Sequence, residues 1–209
     1  MKTCLIVIDV QESFRHRPFF TERDLPAYLQ AQNALIDGCV AQGIPVLRVF
    51  HSDGPEVAEN PFSQASGQVR ALDGLARFEA AATFTKSRHS ALVGTGLDVW
   101  LTRHGIQRLI ISGIRTEQCC ETTTRHASDL GWDVDYVTDA TLTWDMVQPD
   151  GQVLEAKPPL RQQIAAEERQ RGIGDDRRGG QDLLRHPALY GGDVPQQHDQ
   201  RRQQQGPAV

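Results

Sequence analysis

"RLIISGIRTEQCCETTTRHA", residues 108–127, decides the fold. Its opening is a short apolar run, the pattern of a buried strand, and its close has helical spacing, with Cys120, Thr123, Ala127 and then Leu130 recurring on one face. A small-residue turn joins the two and runs into a pair of adjacent cysteines. A buried strand that turns directly into a helix is the repeating unit of a sheet layered with helices.

The same alternation extends outward. Strand-like runs occur at 4–10 ("CLIVIDV"), 44–50 ("IPVLRVF"), 81–86 ("AATFTK"), 108–114 and 132–138 ("WDVDYVT"). Between the first two, Leu29, Ile36, Cys39 and Val40 share a helical face, and Gly43-Ile44 and Gly105-Ile106 read as helix ends that lead into strands. The expectation is an α/β domain: a mostly parallel, Rossmann-like sheet flanked by helices on both faces. Ligands of such sheets sit outside the carboxyl ends of the strands. Asp9, Lys86 and the segment Gly113 to Cys119 all fall at such ends, so three loops bring a carboxylate, an ammonium and a thiol to one edge.

Composition narrows the partner. With 22 Lys and Arg against 27 Asp and Glu, a net charge of −5 disfavours nucleic acid or an anionic membrane and favours a small-molecule substrate. The N-terminus lacks a cleavable leader and no apolar stretch is long enough to span a bilayer, so a cytoplasmic protein is expected. Cys4, Cys39, Cys119 and Cys120 lack zinc spacing and are read singly. From residue 157 the text turns rich in Gln, Arg, Gly and Pro, so residues 1–156 are expected to form the domain and 157–209 a largely disordered tail, with a short helix near 160–168.

A thiol becomes nucleophilic when its thiolate is stabilised, as at a helix amino end near a cation. Cys119 lies where the turn meets the helix, whereas Cys120 is one residue on and shares the inner face, which makes Cys119 the candidate nucleophile. Taken alone, both sulfurs can equally be core packing, Asp9 a loop cap and Lys86 a solvated strand end. A redox pair of vicinal thiols is a weaker alternative. Together, acid, cation and thiol form the constellation of covalent acyl transfer.

"LIVIDVQESF", "TKSRHSALVGTGLDVWLTRHGIQRLIISGIRTEQCC" and "TTTRHASDLGWDVDYVTDAT" resemble the isochorismatase-like cysteine hydrolases, a superfamily that includes nicotinamidases and N-carbamoylsarcosine amidohydrolases. The likeness runs from residue 1 to about 155 and includes a D-x-Q opening, a K-x-x-x-S-A-x-x-G-T-x-L block and a G-I-x-T-x-x-C turn, in that order. It implies an Asp9, Lys86, Cys119 triad, a cis peptide between Ile114 and Arg115, and an oxyanion hole made by the backbone N–H groups of Arg115 and Cys119. The implied reaction is hydrolysis of a small amide, ureide or carbamoyl compound through a thioester on Cys119, with Asp9 passing the thiol proton to the departing amine.

Departures limit that inference. Metal-using relatives resemble one another in a D-x-H segment and a later His, but "VFHSDGPEVAENPF" (49–62) carries His51 and Asp53 in reverse order with no second His nearby, so neither metal nor cofactor is expected. True isochorismatases tend to lack the cysteine. Gln11, Phe14 and Trp144 are candidate substrate contacts, with packing the alternative for the aromatics. Relatives close the sheet with a last helix and a sixth strand, which this C-terminal text does not offer; a frame change would account for it. A catalytically impaired scaffold is therefore the rival reading, and the resemblance also suggests a homo-oligomer.

Overall fold

A computed structural model of the chain describes residues 1–156. The expected tail and its short helix near 160–168 lie outside the described residues.

Five parallel strands form one sheet: β1 (Thr3–Ile8), β2 (Val46–His51), β3 (Ala82–Lys86), β4 (Arg108–Ile114) and β5 (Asp133–Leu142), in the spatial order β3-β2-β1-β4-β5. The central strands β1 and β4 pair along their whole length, from Thr3 opposite Arg108 to Ile8 opposite Gly113. Both are buried on both faces, which is why they read as continuous apolar runs instead of alternating ones.

Alternate residues of β1 feed two cores, as a two-residue side-chain period requires. Leu5 and Val7 pack with Tyr28, Ile36 and Cys39 of α1 (Leu25–Ala41) on one side. Cys4, Ile6 and Ile8 pack on the other with Leu97 and Leu101 of α2 (Leu97–Arg103) and Ala127 of α3 (Glu121–Asp129). Helices thus cover both faces. Helix α1 begins with a proline in its first turn, where no intrahelical N–H is lost.

Some local expectations shift. Val40 and Leu130, placed on inner faces by periodicity, are 53% and 55% exposed. Val40 lies in the last turn of α1, and Leu130 follows the last residue of α3, where the face has rotated off the sheet. Strand β5 runs on to Leu142 through an irregularity: Ile111 pairs with Tyr136, but Gly113 pairs with Thr141. A small hairpin, β6 (Met146–Val147) with β7 (Val153–Leu154), follows it.

Gly113 is where the sheet tolerates no side chain. Its φ is +134°, and a Cβ there would lie 1.9 Å from the carbonyl oxygen of Ile8. The contact is to backbone of the neighbouring central strand, so it cannot be relieved by a rotamer change. Gly113→Ala is expected to cost about 4 kcal/mol or more, read as a lowered urea midpoint, or to abolish soluble expression; a variant with the parent's midpoint would contradict this packing.

Candidate active site

The chain reverses its direction of travel across the sheet at β1. Strands β2 and β3 extend to one side of it, and the connection from β3 then crosses back to place β4 on the other. The crevice at such a switch point, at the carboxyl ends, is the natural ligand site of an open α/β sheet. Asp9 follows β1, Lys86 ends β3, and the turn after β4 carries Cys119.

That turn is held by threonines. Residues Thr116–Cys120 form a wide π-helical turn that continues into α3. Thr116 Oγ1 donates to Thr141 Oγ1 at 2.8 Å, and Tyr136 OH donates to the carbonyl of Thr116 at 2.6 Å. Thr123 Oγ1 donates to the carbonyl of Cys119 at 2.6 Å and accepts from the N–H of Ala91 at 2.9 Å. The S-A pair after Lys86 and the threonine run after the cysteines therefore fasten the lysine loop to the cysteine helix. The Ile114–Arg115 peptide is cis.

Lys86 is 2% exposed, and its ammonium is the centre of the site. Nζ lies 2.7 Å from Asp9 Oδ2, 3.2 Å from Cys119 Sγ and 2.8 Å from His51 Nδ1. An ammonium has three protons and no acceptor, so these three neighbours account for its donors. Asp9 is fully buried and adopts φ of +53°, a left-handed conformation that aspartate tolerates better than most residues.

The site has one cation and two acids. Burial pushes the Asp9 carboxyl above its ordinary range, against the pull of Lys86. Burial also pushes the Cys119 thiol up to about 12, with Asp9 adding to the rise and Lys86 opposing it. Burial alone would depress Lys86, but Asp9 and Cys119 beside it carry it above its ordinary value. Burial and the neighbouring Asp9 thus favour the protonated thiol at Cys119, with Lys86 pulling the other way. This corrects the expectation of a thiolate stabilised by a helix end: Cys119 is 6% exposed, lies within the π turn, and faces a carboxylate.

Cys120 is wholly buried in the core beneath α2 and α3, and burial raises its thiol well above the ordinary value. The two sulfurs point into different surroundings, as the step around a helix requires.

A cavity of about 430 Å³ is lined by Asp9, Phe14, His51, His89, Arg115 and Cys119 among others. Phe14, a candidate substrate contact by sequence, is among the lining residues. Gln11 does not line the cavity: its amide donates to Ser13 Oγ and to the carbonyl of His51 and accepts from the N–H of His51, bracketing the end of β2. Trp144 does not line it either. It packs behind the wall against Phe14, Phe19 and Phe20, with its indole N–H on the carbonyl of Thr21. The Arg115 guanidinium pairs with Glu117 at 2.8 Å and lies over the ring of Phe19.

Two histidines went unassigned in the sequence. Burial, with Lys86 next in effect, lowers His51 to about 4, so its ring is neutral. Because Nδ1 accepts from Lys86, the ring proton sits on Nε2. His89 Nδ1 lies 3.8 Å from Cys119 Sγ. Asp9, His51 and Cys119 each offer a ligand atom within 4.8 Å of the others, a spacing a metal could use. The same three residues hold the Lys86 ammonium, which serves them as an internal cation.

Comparison with known proteins agrees with this architecture. A family model described as the Isochorismatase domain matches residues 3–168. YrdC, an isochorismatase-family protein of Bacillus subtilis (strain 168), is 26% identical over 146 residues, covering 69% of this chain and 76% of that protein. Among solved structures, a cysteine hydrolase from Pseudomonas syringae pv. phaseolicola 1448A superposes with a TM-score of 0.69 at 20% identity, covering 80% of this chain and 84% of that one. The N-carbamoylsarcosine amidase of Thermoplasma acidophilum gives 0.60 at 23% identity, covering 72% and 88%. At these identities the two structures share the fold, while the family model spans most of the sequence: the chain belongs to the isochorismatase family of hydrolases.

Proposed function

We propose that the protein is a cysteine hydrolase that cleaves the C–N bond of a small amide, ureide or carbamoyl compound through a thioester on Cys119. The observation that carries this reading is the buried Lys86 ammonium, within hydrogen-bond distance of both the Asp9 carboxylate and the Cys119 sulfur at the floor of an open cavity.

The shared cation makes proton transfer cheap in this site. When the thiol proton moves to Asp9, the negative charge moves from carboxylate to sulfur while Lys86 keeps it paired, so the net charge of the buried cluster is unchanged. The thiolate attacks the substrate carbonyl, and the N–H groups of Arg115 and Cys119 receive the developing oxyanion. Asp9 passes its proton to the departing nitrogen, and water then releases the acid. No step needs a cofactor.

Three outcomes are expected. In a panel of small amides, ureides and carbamoyl compounds, Cys119→Ala abolishes turnover while Cys120→Ala keeps most of it. Equal losses would refute the choice of sulfur, and a folded wild type inert to the whole panel would favour the impaired scaffold. Asp9 must be ionised to act as base and its carboxyl is raised, so kcat/KM should fall with acidification at a midpoint above the ordinary aspartate value of about 3.9. A midpoint at or below that value would speak against Asp9 as the base. Lys86→Met strands a buried carboxylate and should destabilise by about 3–5 kcal/mol in urea unfolding. Adding Asp9→Asn to it should recover part of that loss, a coupling that independent residues would not show.

A further inference from the structure

Charge on the cavity wall bears on what kind of amide the site would hold. Of the lining groups, Asp9 is paired with Lys86 at 2.7 Å and Arg115 with Glu117 at 2.8 Å, so each brings its own counter-ion. The arginines on either side of Arg17 in the chain are paired as well, Arg15 with Glu12 at 3.3 Å and Arg23 with Asp145 at 2.9 Å.

Arg17 differs. It lines the cavity, is exposed, and has no carboxylate partner among the described residues. Its guanidinium carbon lies instead 5.7 Å from the ring centroid of Phe19 and 5.8 Å from that of Phe62. A guanidinium held over aromatic faces keeps its N–H fork free for a planar anion. Its backbone is also fixed: Arg17 closes the short helical turn Glu12–His16, with its N–H on the carbonyl of Phe14.

Phe62 sets the distance to the reacting groups. Its ring meets that of His51 edge-on, with centroids 5.7 Å apart, and His51 bonds to Lys86 beside Cys119. One phenyl ring therefore separates Arg17 from the triad's neighbour, a gap that an acyl chain of a few bonds spans. Asp53, the other lining charge without an ion pair among the described residues, follows the end of β2 and acts on His51. A carboxylate there suits the N–H groups of an amide end, whereas Arg17 suits an anion at the opposite end.

We propose that the substrate is an amide, ureide or carbamoyl compound that also carries a carboxylate, and that Arg17 is the residue that selects it. The proposal rests on the reading of Cys119 as the nucleophile.

The test uses the full chain and pairs of amides that differ at the far end. Succinamate, glutaramate and adipamate are set against butanamide, pentanamide and hexanamide, in which a methyl group replaces the carboxylate. The wild type should favour at least one acid amide over its neutral counterpart in kcat/KM. Arg17→Gln should lower that ratio by about 10–100-fold, the range for a hydrogen bond to a charged group, with the loss in KM. Arg17→Lys should recover part of it, because the charge returns without the fork. Calorimetric binding of succinate, glutarate and adipate reads the same contact without turnover and should weaken by a similar factor in Arg17→Gln. A wild type that hydrolyses acid and neutral amides alike, or a ratio that Arg17→Gln leaves unchanged, overturns the proposal and leaves the cysteine hydrolase reading standing. A wild type inert to every amide whose diacid binding still depends on Arg17 keeps the anion site and removes the hydrolase reading. Inertness together with diacid binding that ignores Arg17 removes both.

Discussion

The site depends on one buried ammonium. Lys86 reaches from the end of β3 to residues that follow β1 and β4, with His51 at the end of β2 as its third partner. Those four strand ends are neighbours only because the chain crosses back over β1 before forming β4. An isolated ammonium with this burial would be costly, and a carboxylate alone in the same place equally so. Each is tolerable because the other is present. Burial raises both Asp9 and Cys119, and the Lys86 ammonium between them opposes the rise in each.

Holding that cluster requires a rigid surround. The π turn carrying Cys119 is tied to β5 through Thr116, Thr141 and Tyr136, and to the loop after Lys86 through Thr123 and Ala91. Gln11 does the same for His51, gripping both its backbone N–H and its carbonyl. These side chains are the reason that the D-x-Q, S-A and G-I-x-T segments occur with chemistry-bearing residues beside them. Gln11 and the threonines hold the end of β2 and the cysteine turn in place and do not themselves line the cavity.

Much of this was legible in the sequence. Buried parallel strands write themselves as apolar runs, so all five were visible, and β4 was bounded correctly by its flanking polar residues. Strand β5 was cut short because a strand with an irregular register loses its period, and Asp139 looks like a turn residue. The acid, cation and thiol could be found because strand ends in this fold converge. His51 and His89 could not be placed at the site, because their contacts are with residues from other strand ends. The reversed order of His51 and Asp53 argued only against a metal motif, and nothing in the order of residues says that Nδ1 of His51 accepts from Lys86. The surroundings of Cys119 differ from the expected helix end for a related reason: a helix end is visible in sequence, whereas burial beside a carboxylate is not.

The contrast between the two histidines follows from depth. His51 is held neutral by burial and by Lys86, and its ring can only donate toward the cavity. His89 is exposed and lines the cavity. On the proposed chemistry, the buried cluster moves a proton between Asp9 and Cys119 without changing its charge, and it meets the substrate through the cavity that Asp9 and Cys119 both line.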